Sequence, residues 1–257
     1  MAFLKPAIAL ASAVWLVAAN AGLEAPRIGF VRLADNQVWA LRGIAGSFYF
    51  GERMASQIDR FAFNGQIGVR TSGDRLAELL GPHGEVLRVA RIAGEVCAIG
   101  LSPLQASAYV LTDAEIWRLS AGSVDRYPAP ALPEGRLAGI SGAGSYVEFA
   151  SVLNGQVSLE RFWLDSGETL VREAFAAQPD QLLILKDRML LWSEGDKLVL
   201  QRSDASLAKV ETGSPIVSLQ QAGEGWFHAT GEDGRQFVVR LTHGVEMFVS
   251  LLPETAQ

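Results

Sequence analysis

Six times along this chain an apolar run breaks on a short polar turn and resumes at once. The runs read IGFVRLADN from Ile28, IGVRTSGD from Ile67, AYVLTD from Ala108, YVEFASVLNG from Tyr146, RMLLWSEGD from Arg188 and WFHATGEDG from Trp226. Their starts lie 39, 41, 38, 42 and 38 residues apart, so five steps cover 198 residues at a mean of 39.6. A steady period of this length means one unit copied and stacked, because a unit too small to bury its own faces buries them against its copies.

Each run leads into a second strand: VWALR, RLAELL, EIWRL, VSLERFW, KLVLQR and QFVVRL. A third usually follows, as in VLRVAR (86–91), TLVREAF (169–175) and VEMFVSL (245–251). Another tends to precede: VCAIGL (96–101), LAGIS (137–141), LLIL (182–185) and IVSLQ (216–220). Hydrophobicity alternates with period two in these runs, and Gly, Asp, Asn, Ser and Pro separate them. Four short strands in each 40-residue unit predict an all-β chain, a β-propeller of about six four-stranded blades. A β-sandwich is the alternative for many short strands, but it has no reason to keep the period.

Two places fit the pattern poorly. Only Gly22 to Arg27 precede the first run, too few for the innermost strand of a first blade. Either the C-terminal LLPETAQ closes the ring, or blade one has three strands, or five full blades stand beside an irregular segment. The stretch GERMASQIDRF, up to Phe61, reads as a single short helix or an irregular crossover.

The third unit carries Ser102-Pro103, then five residues, then Tyr109-Val110. This resembles the S-P-D-G-x-x-x-Y-V core of the secreted YVTN-type and related WD40-like propeller repeats. Leu104-Gln105 stand where that family has the Asp-Gly of a tight turn, and the other five units match it only in strand order and spacing. The resemblance implies a propeller of the binding or scaffolding sort and carries over no catalytic residue.

The N-terminus, MAFLKPAIALASAVWLVAANAGLEAPR, places Lys5 before an apolar stretch from Ala7 to Ala19, with Ala19-Asn20-Ala21 as a small-x-small cleavage site. That is the layout of a secretory signal peptide, too short in its apolar part to span a membrane. Residues 1–21 are thus expected to be removed, leaving 22–257 as one propeller domain, secreted or periplasmic, with no membrane insertion. Cys97 is the only cysteine, so no intramolecular disulfide staples the fold and burial alone must hold it. The formal charge of −6 becomes −7 once Lys5 is lost, and no Lys/Arg cluster offers a pull toward nucleic acid or anionic lipid.

The turn after each marker run is acidic in most units: Asp35, Asp74, Asp113, Glu194 with Asp196, and Glu232 with Asp233, with Asn154 in the fourth. Asp, Asn and Gly are the residues of tight turns. An acidic rim for a cationic partner or Ca²⁺ is the other reading. Packed sheets lie about 10 Å apart while Ca²⁺ holds its ligands at about 2.3–2.6 Å, so neighbouring turns do not meet on one ion. His83 and His243 fall at matching places in outer turns of units two and six, a whole blade apart, and should not share a metal. His228 lies within a strand and is expected to be packed and hydrogen-bonded. Cys97 reads as a small buried apolar residue, with no histidine placed to activate it. Trp39, Trp117 and Trp163, all in the second strand after a marker, read as filling between blades rather than a sugar-binding face.

No G-x-S-x-G elbow, H-E-x-x-H pair or phosphate-cradling glycine loop occurs. No catalytic, cofactor-binding or metal-ligating residue is therefore assigned, and no cofactor is expected. The expected function is a binding or scaffold propeller for a protein or cell-wall ligand. One alternative is a lactonase- or lyase-like enzyme with a metal in the central channel. Another is carbohydrate binding, which requires aromatic residues on loops. The apolar runs that precede the markers argue against a polar channel.

Overall fold

The computed structural model describes residues 25–44, 47–132, 134–242 and 246–252. The expected leader, His243 and the last five residues lie outside them.

Among the described residues twenty-three strands form six antiparallel sheets, each built from one continuous piece of chain. Blade one holds β1 (Arg27–Arg32), β2 (Val38–Ile44) and β3 (Ser47–Ala55), and blade two β4 (Ile58–Phe63), β5 (Gly68–Ser72), β6 (Leu76–Leu80) and β7 (Val86–Arg91). Blade three holds β8 (Val96–Leu101), β9 (Ser107–Thr112), β10 (Glu115–Ser120) and β11 (Val124–Pro128), and blade four β12 (Arg136–Gly142), β13 (Tyr146–Leu153), β14 (Gln156–Trp163) and β15 (Thr169–Ala176). Blade five holds β16 (Gln181–Ile184), β17 (Leu190–Glu194), β18 (Lys197–Gln201) and β19 (Leu207–Glu211), and blade six β20 (Ile216–Gly223), β21 (Trp226–Gly231), β22 (Gln236–Thr242) and β23 (Glu246–Leu251). The six-bladed propeller expected from the period is the fold, and β9 and β10 bracket the turn at Asp113-Ala114.

The buried apolar side chains gather into six clusters, one at each blade–blade interface. Phe30, Ala40, Ile58 and Phe63 wedge blades one and two, and Val69, Leu79, Val110 and Leu119 wedge two and three. Tyr109, Leu111, Val147 and Phe149 join three and four, and Ala150, Val157, Leu190 and Trp192 join four and five. Leu191, Leu200, Phe227 and Val239 fill the next wedge. Val31, Leu41, Ala222 and Val238 complete the circle between six and one. A middle strand is covered on both faces. All six residues of β9 are buried, with Ala108 and Val110 facing blade two and Tyr109 and Leu111 facing blade four.

The inner strands of neighbouring blades pack backbone to backbone. A Cβ on Gly100 of β8 would stand 2.3 Å from the Ile140 carbonyl oxygen of β12, and one on Gly29 of β1 only 1.5 Å from that of Ala222 in β20. Glycine is required at such contacts because any side chain overlaps the facing carbonyl. Four inner strands also share a bulge near their start, where Asp59, Cys97, Ala138 and Val217 are left without a partner on the next strand. A bulge bends its strand and re-aims the side chains that follow.

Blade one is three-stranded among the described residues. Its β1 carries the marker run and corresponds to the second strand elsewhere. It runs opposite to the inner strands: Arg32 at its end reaches Ile58 at the start of β4, and Gly29 abuts Ala222 near the end of β20. Strands β20 and β4 meet each other as well, so among the described residues the ring closes directly from blade six to blade two on its inner side.

The segment expected as a helix or crossover is neither. Residues to Ala55 pair with β2, Ser56-Gln57 turn with Gln57 at φ 58°, and β4 begins blade two. Its apolar alternation was hidden because the bulge at Asp59 puts two polar residues, Asp59 and Arg60, side by side within the strand.

Candidate functional site: the central channel

Strands β4, β8, β12, β16 and β20, with the end of β1, enclose a channel of about 840 Å³. Ile99, Leu137, Ile140, Leu183 and Leu219 give it an apolar wall, as the sequence runs lead one to expect. Its two mouths are polar and they differ.

One mouth opens where the inner strands begin. Arg32, Arg60, Cys97, Arg136, Gln181 and Ser218 line it, and no carboxylate does. The acids that line the channel, Asp187 and Glu224, belong to the far mouth with Asn64, Gln66 and Lys186. The difference follows from topology: the first mouth is built from strand starts, the second from the loops that end them.

The three arginines are held differently. Arg32 Nε donates to the Ile58 carbonyl at 2.7 Å, and its Nη2 bonds Asn36 Oδ1. Burial pulls its pKa below the ordinary arginine value; Asp59 opposes this and Arg60 adds to it. The group stays cationic at any physiological pH. Arg136 donates to the carbonyls of Pro179 and, at 3.1 Å, Asp180, which anchors it to the loop that enters blade five. Arg60 makes no hydrogen bond or ion pair among the described residues. Its charge acts on both Arg32 and the Cys97 thiol, which line the same mouth. The Gln181 carboxamide and the Ser218 hydroxyl also have no hydrogen-bond partner among the described residues.

Cys97 is the bulged residue of β8 and is half-buried on the channel wall rather than enclosed in a core as expected. Burial pushes its thiol pKa up, with Asp113 and Glu95 adding to the effect. That environment disfavours the thiolate.

The turns joining second to third strands lie on this same face and ring the mouth. Asp35 and Asp233 accept the amides of Gln37 and Arg235 at 3.1 Å, the local bond of an Asx turn. Asn154 and Gly155, at φ 51° and 76°, make the left-handed pair of a tight hairpin. Among the described residues no three His, Cys, Asp or Glu side chains gather as metal ligands. The face therefore has a cationic centre inside an acidic circle. The arginines went unseen in the sequence because they lie far apart in the chain and two sit in strands where the alternation is broken.

Beside Arg32 lies a buried polar group. The Arg32 amide donates to Gln220 Oε1 at 2.9 Å, and Gln220 Nε2 donates back to the Arg32 carbonyl at 2.7 Å. That Nε2 also lies 3.3 Å from Nδ1 of His228, which is fully buried in β21 and meets Phe50 edge-on at 5.8 Å. Burial pushes the His228 pKa down to about 4, so the imidazole is neutral at pH 7. It is packed as expected and hydrogen-bonded through Nδ1, while its buried Nε2 has no partner among the described residues.

His83 sits in the outer turn between β6 and β7, its Nδ1 2.6 Å from Arg27 Nη2, at the rim far from the channel. Trp117 lies in the wedge between blades two and three. Trp163 meets Tyr146 edge-on at 5.2 Å, and Arg161 lies over the Tyr146 ring at 3.7 Å. Trp39 is half-buried in β2. All three tryptophans are strand residues, none on a loop.

No family model matches the chain, and no curated protein matches it in sequence. Its fold is shared with solved structures. A mutant of the Aleuria aurantia lectin in complex with Fucα1-6GlcNAc is similar with a TM-score of 0.62 at 8% identity, over 89% of this chain and 92% of that one. A chain of the nidogen/laminin complex gives 0.57 at 12% identity, over 88% and 92%. PorZ, an essential bacterial surface component of the type-IX secretion system of Porphyromonas gingivalis, gives 0.50 at 13% identity over 90% of this chain, which spans only 38% of PorZ.

Proposed function

We propose that this protein is an exported binding propeller, a rigid disc that holds a protein or cell-wall ligand at its central channel after removal of residues 1–21. The channel itself carries the reading. Its volume of about 840 Å³ falls within the range of small-ligand sites, typically about 300–1,000 Å³ with apolar walls and a few polar groups that fix orientation. Propellers of similar shape include a lectin with a bound sugar and a chain of a protein complex, and they support a binding role.

The enzyme reading has less behind it. Hydrolase or lyase chemistry asks for a positioned acid–base pair or for carboxylates and imidazoles converging on an ion. The acids that line the channel are at the mouth opposite the arginines.

Two experiments test the proposal. Expressed with its leader in a bacterial host, the chain should appear outside the cytoplasm beginning at Gly22. Retention with Met1 intact overturns the export part. Immobilised residues 22–257 should retain fragments from a cell-wall digest or a defined exported protein, and Ser218→Trp, which fills the channel, should abolish retention without changing the melt. Equal retention by the filled variant removes the channel from the function.

A further inference from the structure

We propose that the arginine mouth of the channel is an anion seat that takes one terminal oxyanion, a carboxylate or phosphate at the end of a ligand. This deepens the binding reading and rests on it.

An unpaired guanidinium at the mouth of a narrow channel is the first observation. Among the described residues, Arg60 alone of the three arginines spends none of its donors on the protein, and Arg32 Nη1 has no partner. Like charges repel, so Arg32 and Arg60 in one mouth carry a cost that Asp59 only in part offsets. The half-buried Arg118, Arg161 and Arg172 are paired, with Asp125 at 2.8 Å and with Glu148, whereas among the described residues no acid forms an ion pair with Arg32, Arg136 or the exposed Arg60. The planar fork of guanidinium donors matches the two oxygens of a carboxylate or the face of a phosphate. Gln181 and Ser218, lining the same mouth, add a neutral amide and hydroxyl that can complete the shell.

The acidic circle is the second observation, and it sets the size of the ligand. Asp35, Asp74, Asp113, Glu194 and Asp233 surround the mouth on the face the ligand approaches. A polyanion laid across that face meets repulsion from every turn, whereas one charge entering end-on comes to the three arginines, with Asp59 the acid beside them whose charge acts on Arg32. Charges arranged this way focus the field at the centre. The third is the wall beyond: Ile99 and Leu219 suit an apolar or uncharged stem behind the anion.

The test is calorimetric titration of residues 22–257 with inorganic phosphate, a tripeptide with a free C-terminal carboxylate, the same tripeptide as its amide, and heparin. Saturable binding of phosphate or of the peptide acid, with the amide at least tenfold weaker, is expected. Phosphate alone assigns a phosphoryl terminus, the acid alone a carboxylate. Arg60→Gln should weaken the binding at least tenfold, and Gln181→Leu should weaken it too. Asp74→Asn, on the rim, should leave it equal or slightly tighter. No saturation by either anion, an unchanged Arg60→Gln, or heparin binding as well as the small anions overturns the seat. Retention of wall fragments that Ser218→Trp abolishes but Arg60→Gln does not leaves the binding function standing and removes the seat alone. Anion binding without retention of any fragment or partner does the reverse.

Discussion

The carboxamide of Gln220 bonds both the amide and the carbonyl of Arg32 and also reaches the ring of His228. Replacing it with leucine leaves a part-buried backbone pair and a buried imidazole nitrogen without that partner. Such groups cost about 1–3 kcal/mol each, so Gln220→Leu should lose at least that much in urea denaturation, and a loss below 0.5 kcal/mol, roughly the scatter of surface changes, refutes the role. His228 brings a pH dependence. Its pKa falls from 6.5 to about 4 on folding, so the unfolded chain takes up a proton as pH drops through 6.5 while the folded chain does not. Stability is therefore complete above pH 6.5 and declines toward pH 4, by about 3 kcal/mol in all at about 1.4 kcal/mol for each pH unit. A His228→Gln variant, whatever its stability at pH 7.5, should lose less between pH 7 and pH 5 than the parent. The turn acids behave otherwise: Asp74→Asn should change stability by less than about 0.5 kcal/mol, as expected of an exposed turn residue.

Inner strands show which parts of the fold the sequence discloses. The period of the marker runs discloses the blade count, since a copied unit repeats its apolar pattern whatever its surroundings. Strands β9, β17 and β21 are plain in the sequence because both faces are buried and the runs are continuous. Strand β4 is not, because its bulge sets Asp59 and Arg60 next to each other and so hides a residue of the channel mouth. A bulge depends on the partner strand, so one strand's sequence does not reveal it. Glycines leave a similar blind spot. In the sequence Gly100 and Gly122 look alike, yet a Cβ on the first meets the Ile140 carbonyl oxygen at 2.3 Å and on the second meets nothing within 4 Å. Gly100→Ala should therefore destabilise by about 1–3 kcal/mol, the usual cost of overpacking. Gly122→Ala should be close to neutral in the same melt.

The whole disc has no single core. Its stability resides in six wedges, each shared by two blades, so no blade is complete without its neighbours. Removing blade six by ending the chain at Thr212 strips partners from two wedges at once, those on blades five and one. The truncated chain should show no cooperative melt, rather than a smaller ring with a lower Tm. A sharp transition in that fragment shows that the blades are more independent than the wedges imply.

The seam between blades one and six differs from the other five junctions in one respect: among the described residues neither a loop nor a strand crosses it. It is held by side-chain packing, by the Gly29–Ala222 contact and by one glutamine. In mechanical terms the disc is a split washer with its cut pressed shut. Pulled by its two ends, it should part first at that cut, at low force and in one event, and only afterwards unravel strand by strand at higher force. The same cut lets the ring spread without breaking a single sheet, a compliance that a hydrogen-bonded clasp would forbid.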